Sequence, residues 1–500
     1  MRQSGVLMAV SSLPGNYGIG CFSKEAYRFV DDLHDAGQSL WQILPLGPTS
    51  YGDSPYQSFS TFAGNPYFID PDTLIAKKWL TKKECESFDW GKDPQKVDYA
   101  KIYYSRFRLL RKAYRRSKIA ADRGFKKFLK DNSFWLPDYA LFMALKDAHD
   151  GKSWETWEKE LRFRDKETMK KAQEKYAGDI EFYEFLQYEF FEQWKALKKY
   201  ANNKGIEIVG DIPIYVAFDS ADAWANPELF EFDENLEPIA VAGCPPDAFS
   251  ADGQLWGNPL YRWDVHKKKG YDWWMKRLDA CFKLYDVVRI DHFRGFDAYY
   301  RIPYPAENAR HGKWVKGPGY DIFKTMKKKL GEKKVIAEDL GYLTPSVIKL
   351  VQKTGYPGMK ILQFAFDPRE ESDYLPHNYG KNSVVYTGTH DNDTTLSWYY
   401  VIGKGDRKLA NEYLDIPKDA KDKEIPWYFI RSALSSVSDT AVIPMQDILS
   451  LPHAARMNLP STIGNNWQWR MKEGAFKNTI KKKLLAMTKL YGRAYGRTKK

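Results

Sequence analysis

Two stretches of the sequence run from apolar, β-branched residues directly into an acid. Val-Val-Arg289-Ile ends at Asp291, and Val-Ile-Ala ends at Glu338. Runs of this kind are typical of fully buried strands, and in a parallel barrel the carboxyl ends of the strands face the active site. Two acids placed there indicate glycoside cleavage, in which one carboxylate attacks the sugar and the other handles the leaving-group proton. A strand-end salt bridge is the structural alternative for either acid alone.

The residues beside these acids fit the two roles. Strand alternation places Arg289 on the same face as Asp291, and a neighbouring guanidinium favours the ionised carboxylate that a nucleophile requires. Glu338 has apolar neighbours, so partial desolvation would raise its pKa and let it hold a proton. Asp211 also ends a strand-like run, and Asp391, which follows another, would stabilise an oxocarbenium-like transition state.

Eight strand-like segments would position these side chains. Strand-like runs alternate with helical segments, a pattern that favours a parallel sheet, and eight is the number of strands that a closed barrel needs. The predicted strands are Gly5–Val10, Leu40–Leu44, Ile206–Asp211, Asp286–Asp291, Val335–Glu338, Lys360–Phe366, Val384–Thr389 and Thr440–Met445. The sequence therefore predicts an α/β protein with a (β/α)8 TIM barrel.

Long insertions interrupt the barrel pattern of this single catalytic domain, which we predict over residues 1–500. Residues from about 81 to 202, between the second and third strands, are rich in Lys, Glu, Tyr and Phe. They predict an inserted helical subdomain, because structureless loops of that length are rare. The stretch from about 219 to 263 is dense in Pro, Gly, Asp and Asn and predicts long active-site loops.

Composition narrows the class of protein. Hydrophobic residues make up 43% of the chain and charged residues 28%, and no apolar run approaches the roughly 20 residues that span a bilayer. The net charge of +12 invites a nucleic-acid interpretation, but no nucleic-acid motif accompanies the basic segments, so a solvated surface is favoured. Four scattered cysteines and an N-terminus that leads straight into a strand predict a cytoplasmic protein without a signal peptide or membrane association.

Other motifs resemble sites for cofactors or metals but are incomplete. Gly18-Ile-Gly20-Cys-Phe-Ser23 follows the first strand and is close to a dinucleotide-binding fingerprint, but its third glycine is missing and the second strand lacks the acid that would bind a ribose. Asp391-Asn-Asp393 lacks the remaining ligands of a calcium loop. Neither a zinc-protease motif nor a serine-hydrolase elbow is present. We therefore predict no cofactor and no metal.

Several long, ordered motifs together resemble the 4-α-glucanotransferases of the amylomaltase or disproportionating-enzyme type, within the α-amylase clan. The resemblance extends over nearly the full length of the chain. Its motifs are Leu-Gly-Pro-Thr-Ser-Tyr51-Gly-Asp-Ser54-Pro-Tyr56, Gly-Asp211-Ile-Pro-Ile-Tyr, Cys-Pro-Pro-Asp247-Ala-Phe249, Gln254-Leu-Trp256-Gly-Asn258-Pro, Val-Arg289-Ile-Asp291-His292-Phe-Arg-Gly, Ala-Glu338-Asp-Leu-Gly, Thr-Gly-Thr-His390-Asp391-Asn-Asp-Thr and Ala-Arg-Met-Asn-Leu-Pro.

The resemblance implies a role for each matching residue. Asp291 would be the nucleophile, Glu338 the general acid/base and Asp391 the third acid, with Asp393 as the competing choice for that last role. The cleavage subsite would be lined by Asp211, Arg289, His292 and His390. Glucose units on either side would contact Tyr51, Ser54, Tyr56, Gln254, Trp256 and Asn258, and Asp367 at the end of the predicted sixth strand would bind substrate as well.

The implied activity is retaining transfer of α-1,4-linked glucan segments between malto-oligosaccharides, starch or glycogen-derived glucans. Ala248 stands where many relatives carry Tyr and others Ala, so the resemblance does not imply aromatic stacking at that position. The family also lacks the C-terminal β-domain of amylases, and the tail after Trp469 has no strand pattern. A hydrolase with the same three acids and a non-catalytic glucan-binding protein are the rival interpretations. The sequence does not indicate an oligomeric state.

Overall fold

Eight short parallel strands form the core of the fold. The computed structural model describes residues 2–50, 52–246, 250–341 and 343–494. Its strands are β1 (Gln3–Leu7), β2 (Leu40–Gln42), β3 (Glu207–Pro213), β4 (Ala240–Cys244), β5 (Gln254–Pro259), β6 (Val287–Asp291), β7 (Ala298–Pro303), β8 (Lys313–Lys316), β9 (Val335–Ala337), β10 (Gly358–Ile361), β11 (Ser383–Tyr386) and β12 (Thr440–Pro444). The parallel sheet has the order β10-β11-β12-β1-β2-β3-β6-β9.

The two ends of this sheet meet, which confirms the predicted (β/α)8 barrel. The amide of Ala337 in β9 donates a hydrogen bond of 3.0 Å to the carbonyl of Pro357, directly before β10. Each of the eight predicted segments overlaps a barrel strand, with shifted ends. The largest shift is at Lys360–Phe366, because β10 stops at Ile361 and a 3-10 helix takes up Leu362–Phe364.

A second sheet includes part of the segment 219–263, so the prediction that this segment forms only loops is wrong. Strands β4 and β5 fall inside residues 219–263 and join β7 and β8 in the antiparallel order β5-β4-β7-β8. Glycine in this segment reflects close packing of strands, since a Cβ on Gly243 would lie 2.2 Å from the carbonyl oxygen of Gln254. The Pro- and Gly-rich composition concealed these strands because it is also typical of turns.

Helices surround the barrel and fill most of the segment between β2 and β3. The longest helix, Ala177–Asn203, packs against β3 of the barrel. The indole of its Trp194 donates a hydrogen bond of 3.0 Å to the carbonyl of Leu284, at the end of the helix before β6. The helices are Lys24–Asp35, Pro71–Ala76, Lys82–Glu86, Tyr99–Ser117, Arg123–Asp131, Leu136–Ala148, Lys159–Arg162, Lys166–Lys175, Ala177–Asn203, Ala221–Ala225, Trp263–Lys268, Asp272–Leu284, Tyr320–Leu330, Pro345–Thr354, Thr395–Val401, Lys404–Leu414, Ile425–Ser435, Met445–Ile448 and Asn478–Leu490.

The part of the chain after the last barrel strand adds helices. Between Pro444 and residue 494 the described chain contains helices and irregular segments and no further strand. None of the helices in the described ranges combines the length and the apolar character that crossing a bilayer requires.

Candidate active site

A buried arginine between two carboxylates organises the carboxyl end of the barrel. Strands β3 and β6 pair so that Asp211 lies opposite Arg289. The Arg289 guanidinium donates to both oxygens of Asp211 at 2.8 and 2.7 Å, and its other Nη lies 3.0 Å from Oδ1 of Asp291. Tyr56 donates its hydroxyl to Asp211 at 2.9 Å. These predicted residues therefore form one connected network.

Strand pairing also brings Glu338 beside Asp291. The amide of Glu338 continues the ladder between β6 and β9 by donating 3.1 Å to the carbonyl of Ile290. Its carboxylate accepts from the amide of His292 at 2.6 Å through Oε2 and from the amide of Leu340 at 3.0 Å through Oε1. Because His292 directly follows Asp291, these contacts hold the two acids at the same point of the rim.

The environments of the two acids separate their pKa values. Burial raises the pKa of Asp291 to about 6, and the positive charge of Arg289 opposes that rise. Burial, followed by the negative charge of Asp291, raises the pKa of Glu338 to about 8. Arg289 lowers the pKa of Asp291, as predicted, but desolvation raises that pKa by more. At neutral pH the pair therefore holds one proton, and it resides on Glu338.

Of the two candidates for the third acid, Asp391 is the one connected to this network. Its Oδ1 accepts a hydrogen bond of 2.7 Å from the side-chain amide of Asn458 and lies 3.4 Å from Nε2 of His390. Its negative charge also contributes to the raised pKa of Asp291. The carbonyl of Asp391 accepts a hydrogen bond of 2.7 Å from the Arg456 guanidinium. Two side chains of one segment, Arg456 and Asn458, therefore fix the position of Asp391.

Asp393 has different partners. Its Oδ2 lies 2.7 Å from Nδ1 of His453, and its Oδ1 accepts 2.8 Å from the amide of Thr394. Only 12% of its side chain is exposed, against 47% for Asp391. This occupied position favours Asp391 for the role of third acid, which remains a prediction.

Aromatic rings form the walls around the acids. His390 stacks on Tyr56 at a centroid distance of 5.1 Å, and Trp467 packs against both rings. Trp256 meets His292 edge to face at 4.8 Å. Burial lowers the pKa of His292 to about 3, so the ring is neutral, and its Nε2 has no hydrogen-bond partner among the described residues. Because Nε2 is itself shielded from solvent, the predicted contact of His292 with sugar remains a prediction.

Other predicted sugar contacts are engaged with the protein. Ser54 accepts from the amide of Tyr56 at 3.3 Å, and Gln254 accepts from the indole of Trp256 at 3.1 Å. Asn258 donates 2.7 Å to the carbonyl of Val216 and is buried. Ser54, Gln254 and Asn258 thus support the loops next to the acids, and their predicted contacts with sugar remain predictions.

Three further predictions are less connected to the site. Asp367 pairs with Arg369 through contacts of 2.8 and 2.6 Å, which lower the pKa of Asp367 to about 2, and no contact joins it to the acids in the described structure. It follows the 3-10 helix after β10, so it does not end a strand as predicted. Tyr51 and Ala248 lie outside the described residues.

Sequence reasoning assigned no role to Arg456, Asn458 or Trp467. Arg456 and Asn458 belong to the motif Ala-Arg-Met-Asn-Leu-Pro, which is part of the family resemblance and could have pointed to them. Their segment is irregular and lies far from the barrel strands in sequence, so no periodicity places it. In the described part of the chain, no group of three or more His, Cys, Asp or Glu side chains is arranged to hold a metal ion.

Comparison with known proteins agrees with this architecture. A family model described as 4-alpha-glucanotransferase matches residues 8–477. The chain is 50% identical over 488 residues to the 4-alpha-glucanotransferase of Clostridium butyricum, covering 97% of this chain and 100% of that protein. The enzyme of the same name from Thermus thermophilus is 46% identical, with 95% of each chain covered.

Solved structures give the same result at the level of the fold. The amylomaltase from Streptococcus agalactiae in complex with acarbose superposes with a TM-score of 0.96 at 42% identity, covering 99% of this chain and 100% of that one. The amylomaltase from Corynebacterium glutamicum shares the fold with a TM-score of 0.79 at 18% identity, with 97% and 75% of the two chains covered. On these grounds the chain belongs to the 4-α-glucanotransferase family.

Proposed function

We propose that this protein transfers α-1,4-linked glucan segments from a donor chain to the 4-hydroxyl of an acceptor glucan or glucose. The donors and acceptors are malto-oligosaccharides and starch or glycogen-derived glucans. The observation that carries this proposal is the pair of half-buried acids at the ends of adjacent strands, one ionised and one protonated at neutral pH. Such a pair performs retaining glycosyl transfer, and family membership defines the sugar.

The first step breaks the donor linkage. The Asp291 carboxylate, hydrogen-bonded to Arg289, attacks the anomeric carbon while Glu338 gives its proton to the leaving glycosidic oxygen. The product is a covalent glycosyl-enzyme and a released glucan with a free 4-hydroxyl. Asp391, held by Asn458, stabilises the positive charge that develops on the sugar ring.

The second step reverses the first with a new acceptor. Glu338, now ionised, takes the proton of an acceptor 4-hydroxyl, whose oxygen attacks the anomeric carbon and releases Asp291. Transfer exceeds hydrolysis when the acceptor is well positioned and water is kept from the intermediate. The rings of Tyr56, Trp256 and Trp467 provide apolar surface for this purpose.

Incubation with maltotriose tests this function against hydrolysis by the same acids. Transfer yields glucose and longer chains while the number of reducing ends stays constant, whereas hydrolysis increases that number. Replacing the nucleophile in Asp291→Ala is expected to reduce the rate at least about 10³-fold. Asp279→Ala, on an exposed helix face, is the matched control. Full activity of Asp291→Ala would refute the assignment.

We also propose a cytoplasmic location and no binding of nucleic acid or membranes. No disulfide bond occurs within the described residues, which suits a reducing compartment. The basic excess of the chain remains without a nucleic-acid motif. A gel mobility shift with duplex DNA at physiological salt is expected to show no complex, and a retained complex would contradict this part of the proposal.

A further inference from the structure

A second cavity lies outside the group of acids. It has a volume of about 160 Å³ and is bounded by the segments 60–62, 134–138, 221–229 and 266–276. None of the residues that we assign to cleavage lines it. A cavity of about this volume can hold a six-membered ring, since an engineered cavity of about 150 Å³ binds benzene.

One wall of this cavity is aromatic. Phe62 meets Phe134 edge to face at 5.4 Å and Trp273 at 6.2 Å, and it stacks on Trp135 at 6.1 Å. Phe134 is 44% exposed, so its ring is available at the mouth of the cavity. An aromatic surface of this kind suits the apolar face of a pyranose ring, whose hydroxyls project from its edge.

Two buried polar atoms in the lining have no partner. Nε2 of His266 and Nε1 of Trp273 accept or donate no hydrogen bond within the described structure, although only 1% of His266 is exposed. Burial lowers the pKa of His266 to about 4, and its ring bonds to the backbone of Leu229, so Nε2 is an acceptor. The Trp273 indole is a donor, and the two rings are 6.0 Å apart. Both atoms are themselves shielded from solvent, so a hydroxyl group, which donates and accepts, would satisfy them only after the lining rings shift.

The charges in the lining favour a neutral ligand. Lys269 lies 2.8 Å from Glu228, and Lys276 lies 2.8 Å from Asp272. Each ammonium is therefore already paired with a carboxylate, which disfavours a phosphate or other anion. The buried Asp222 adds a further carboxyl group to the lining. Paired donors and acceptors beside an aromatic wall match the vicinal hydroxyls of a sugar.

We infer that this cavity binds one pyranose ring, the terminal glucose unit of a glucan, apart from the site of cleavage. The choice of glucose among pyranoses rests on the proposed function. Ser60 lines this cavity and also the neighbouring one that contains Tyr56 and Asp211. The two cavities therefore adjoin at Ser60, close in sequence to Tyr56, and the second site would anchor a chain near the acids.

Binding of maltose to Asp291→Asn, which cannot turn over, tests this inference. Crystals soaked in maltose are expected to contain a glucose ring against Phe134 in the cavity, in addition to any sugar at the acids. In calorimetry the second binding event should weaken about tenfold in Asp291→Asn/Phe134→Ala, because one aromatic contact is lost. The matched control is Asp291→Asn/Phe163→Ala, since Phe163 is 42% exposed and does not line the cavity.

A second variant covers the case in which Phe134→Ala fails to fold. Lys276→Ala removes a donor from an exposed helix position and should weaken the same event severalfold. Sugar found only at the acids, or unchanged binding in both variants, would overturn the inference. The maltotriose assay on the wild-type protein is run in parallel. Transfer without sugar in the cavity refutes this inference alone, and sugar in the cavity without transfer refutes the proposed function alone.

Discussion

At the scale of single residues, the local environment assigns different roles to two chemically similar acids. Asp291 has a guanidinium at 3.0 Å, whereas the carboxylate of Glu338 accepts from two backbone amides and has Asp291 as its charged neighbour. Burial favours the protonated form of both acids; the cation opposes this effect at Asp291, whereas the adjacent negative charge adds to it at Glu338. The nucleophile and the acid therefore follow from their neighbours.

This separation predicts a bell-shaped dependence of kcat/KM on pH. The active form has Asp291 ionised and Glu338 protonated, so activity should rise with pH through about 6 and fall through about 8. These values belong to the interacting pair. Initial rates with maltotriose across this range, with enzyme stability checked at each pH, measure both limbs. A rate that keeps rising above pH 9 would contradict protonated Glu338 as the acid.

Asn458 is expected to act by positioning Asp391. Its side-chain amide donates 2.7 Å to Asp391, and Asn458→Ala removes that bond. We expect kcat to fall roughly tenfold to a hundredfold with a smaller change in KM, because the lost interaction matters most when the sugar is positively charged. Asn466→Ala, whose side chain bonds Thr462 in the same segment, is the control. Equal effects of the two variants would indicate a general loosening of the segment.

The acids could be predicted from the sequence, but their supporting residues could not. Asp291 and Glu338 end buried runs, and that pattern is local. Asn458 and Trp467 reach the site from an irregular segment, where tertiary packing alone determines which side chains meet the acids. Trp467 has a positive φ of 63°, a conformation that no sequence pattern here indicates.

At the scale of elements, the barrel was predictable because its strands are buried on both faces and form continuous apolar runs. All eight runs were found, although their ends shifted. The second sheet was missed because its strand β5 combines polar residues with Gly257 and ends in Pro259. The division into a barrel with a helical insertion at about 81–202 remains a prediction. Helices occupy much of that segment.

Substitution of two glycines by alanine tests how tightly the barrel and its surrounding helices pack. A Cβ on Gly210 in β3 would lie 2.1 Å from the ring of Tyr285, whereas a Cβ on Gly178 in the long helix meets nothing within 4 Å. Gly210→Ala should destabilise the protein by about 1–3 kcal/mol through overpacking. Gly178→Ala should stabilise it by about 0.5–1 kcal/mol, because alanine favours helix. Chemical denaturation of both variants measures the difference, and similar shifts would contradict the packing described.

At the scale of the whole molecule, the barrel brings together acids that are distant in the chain and partly shields them from water. The folded protein holds the Glu338 carboxyl where its charged form is disfavoured. Ionising Glu338 therefore lowers the stability of the folded state. The folded protein therefore keeps the Glu338 proton up to pH of about 8, while an unfolded chain releases it near about 4.3. Between these values the native state binds one more proton than the unfolded state.

This difference predicts how the free energy of unfolding changes with pH. Since the native state binds the extra proton, the contribution of Glu338 to stability is present below about pH 4.3 and is lost as pH rises towards 8. Glu338→Gln cannot ionise, so it should unfold at higher denaturant concentration than the wild type at pH 8 to 9, with the difference shrinking at acidic pH. Glu332→Gln, whose side chain is exposed, should show no such trend. A Glu338→Gln variant that is less stable than the wild type at pH 9 would show that the site does not disfavour the carboxylate.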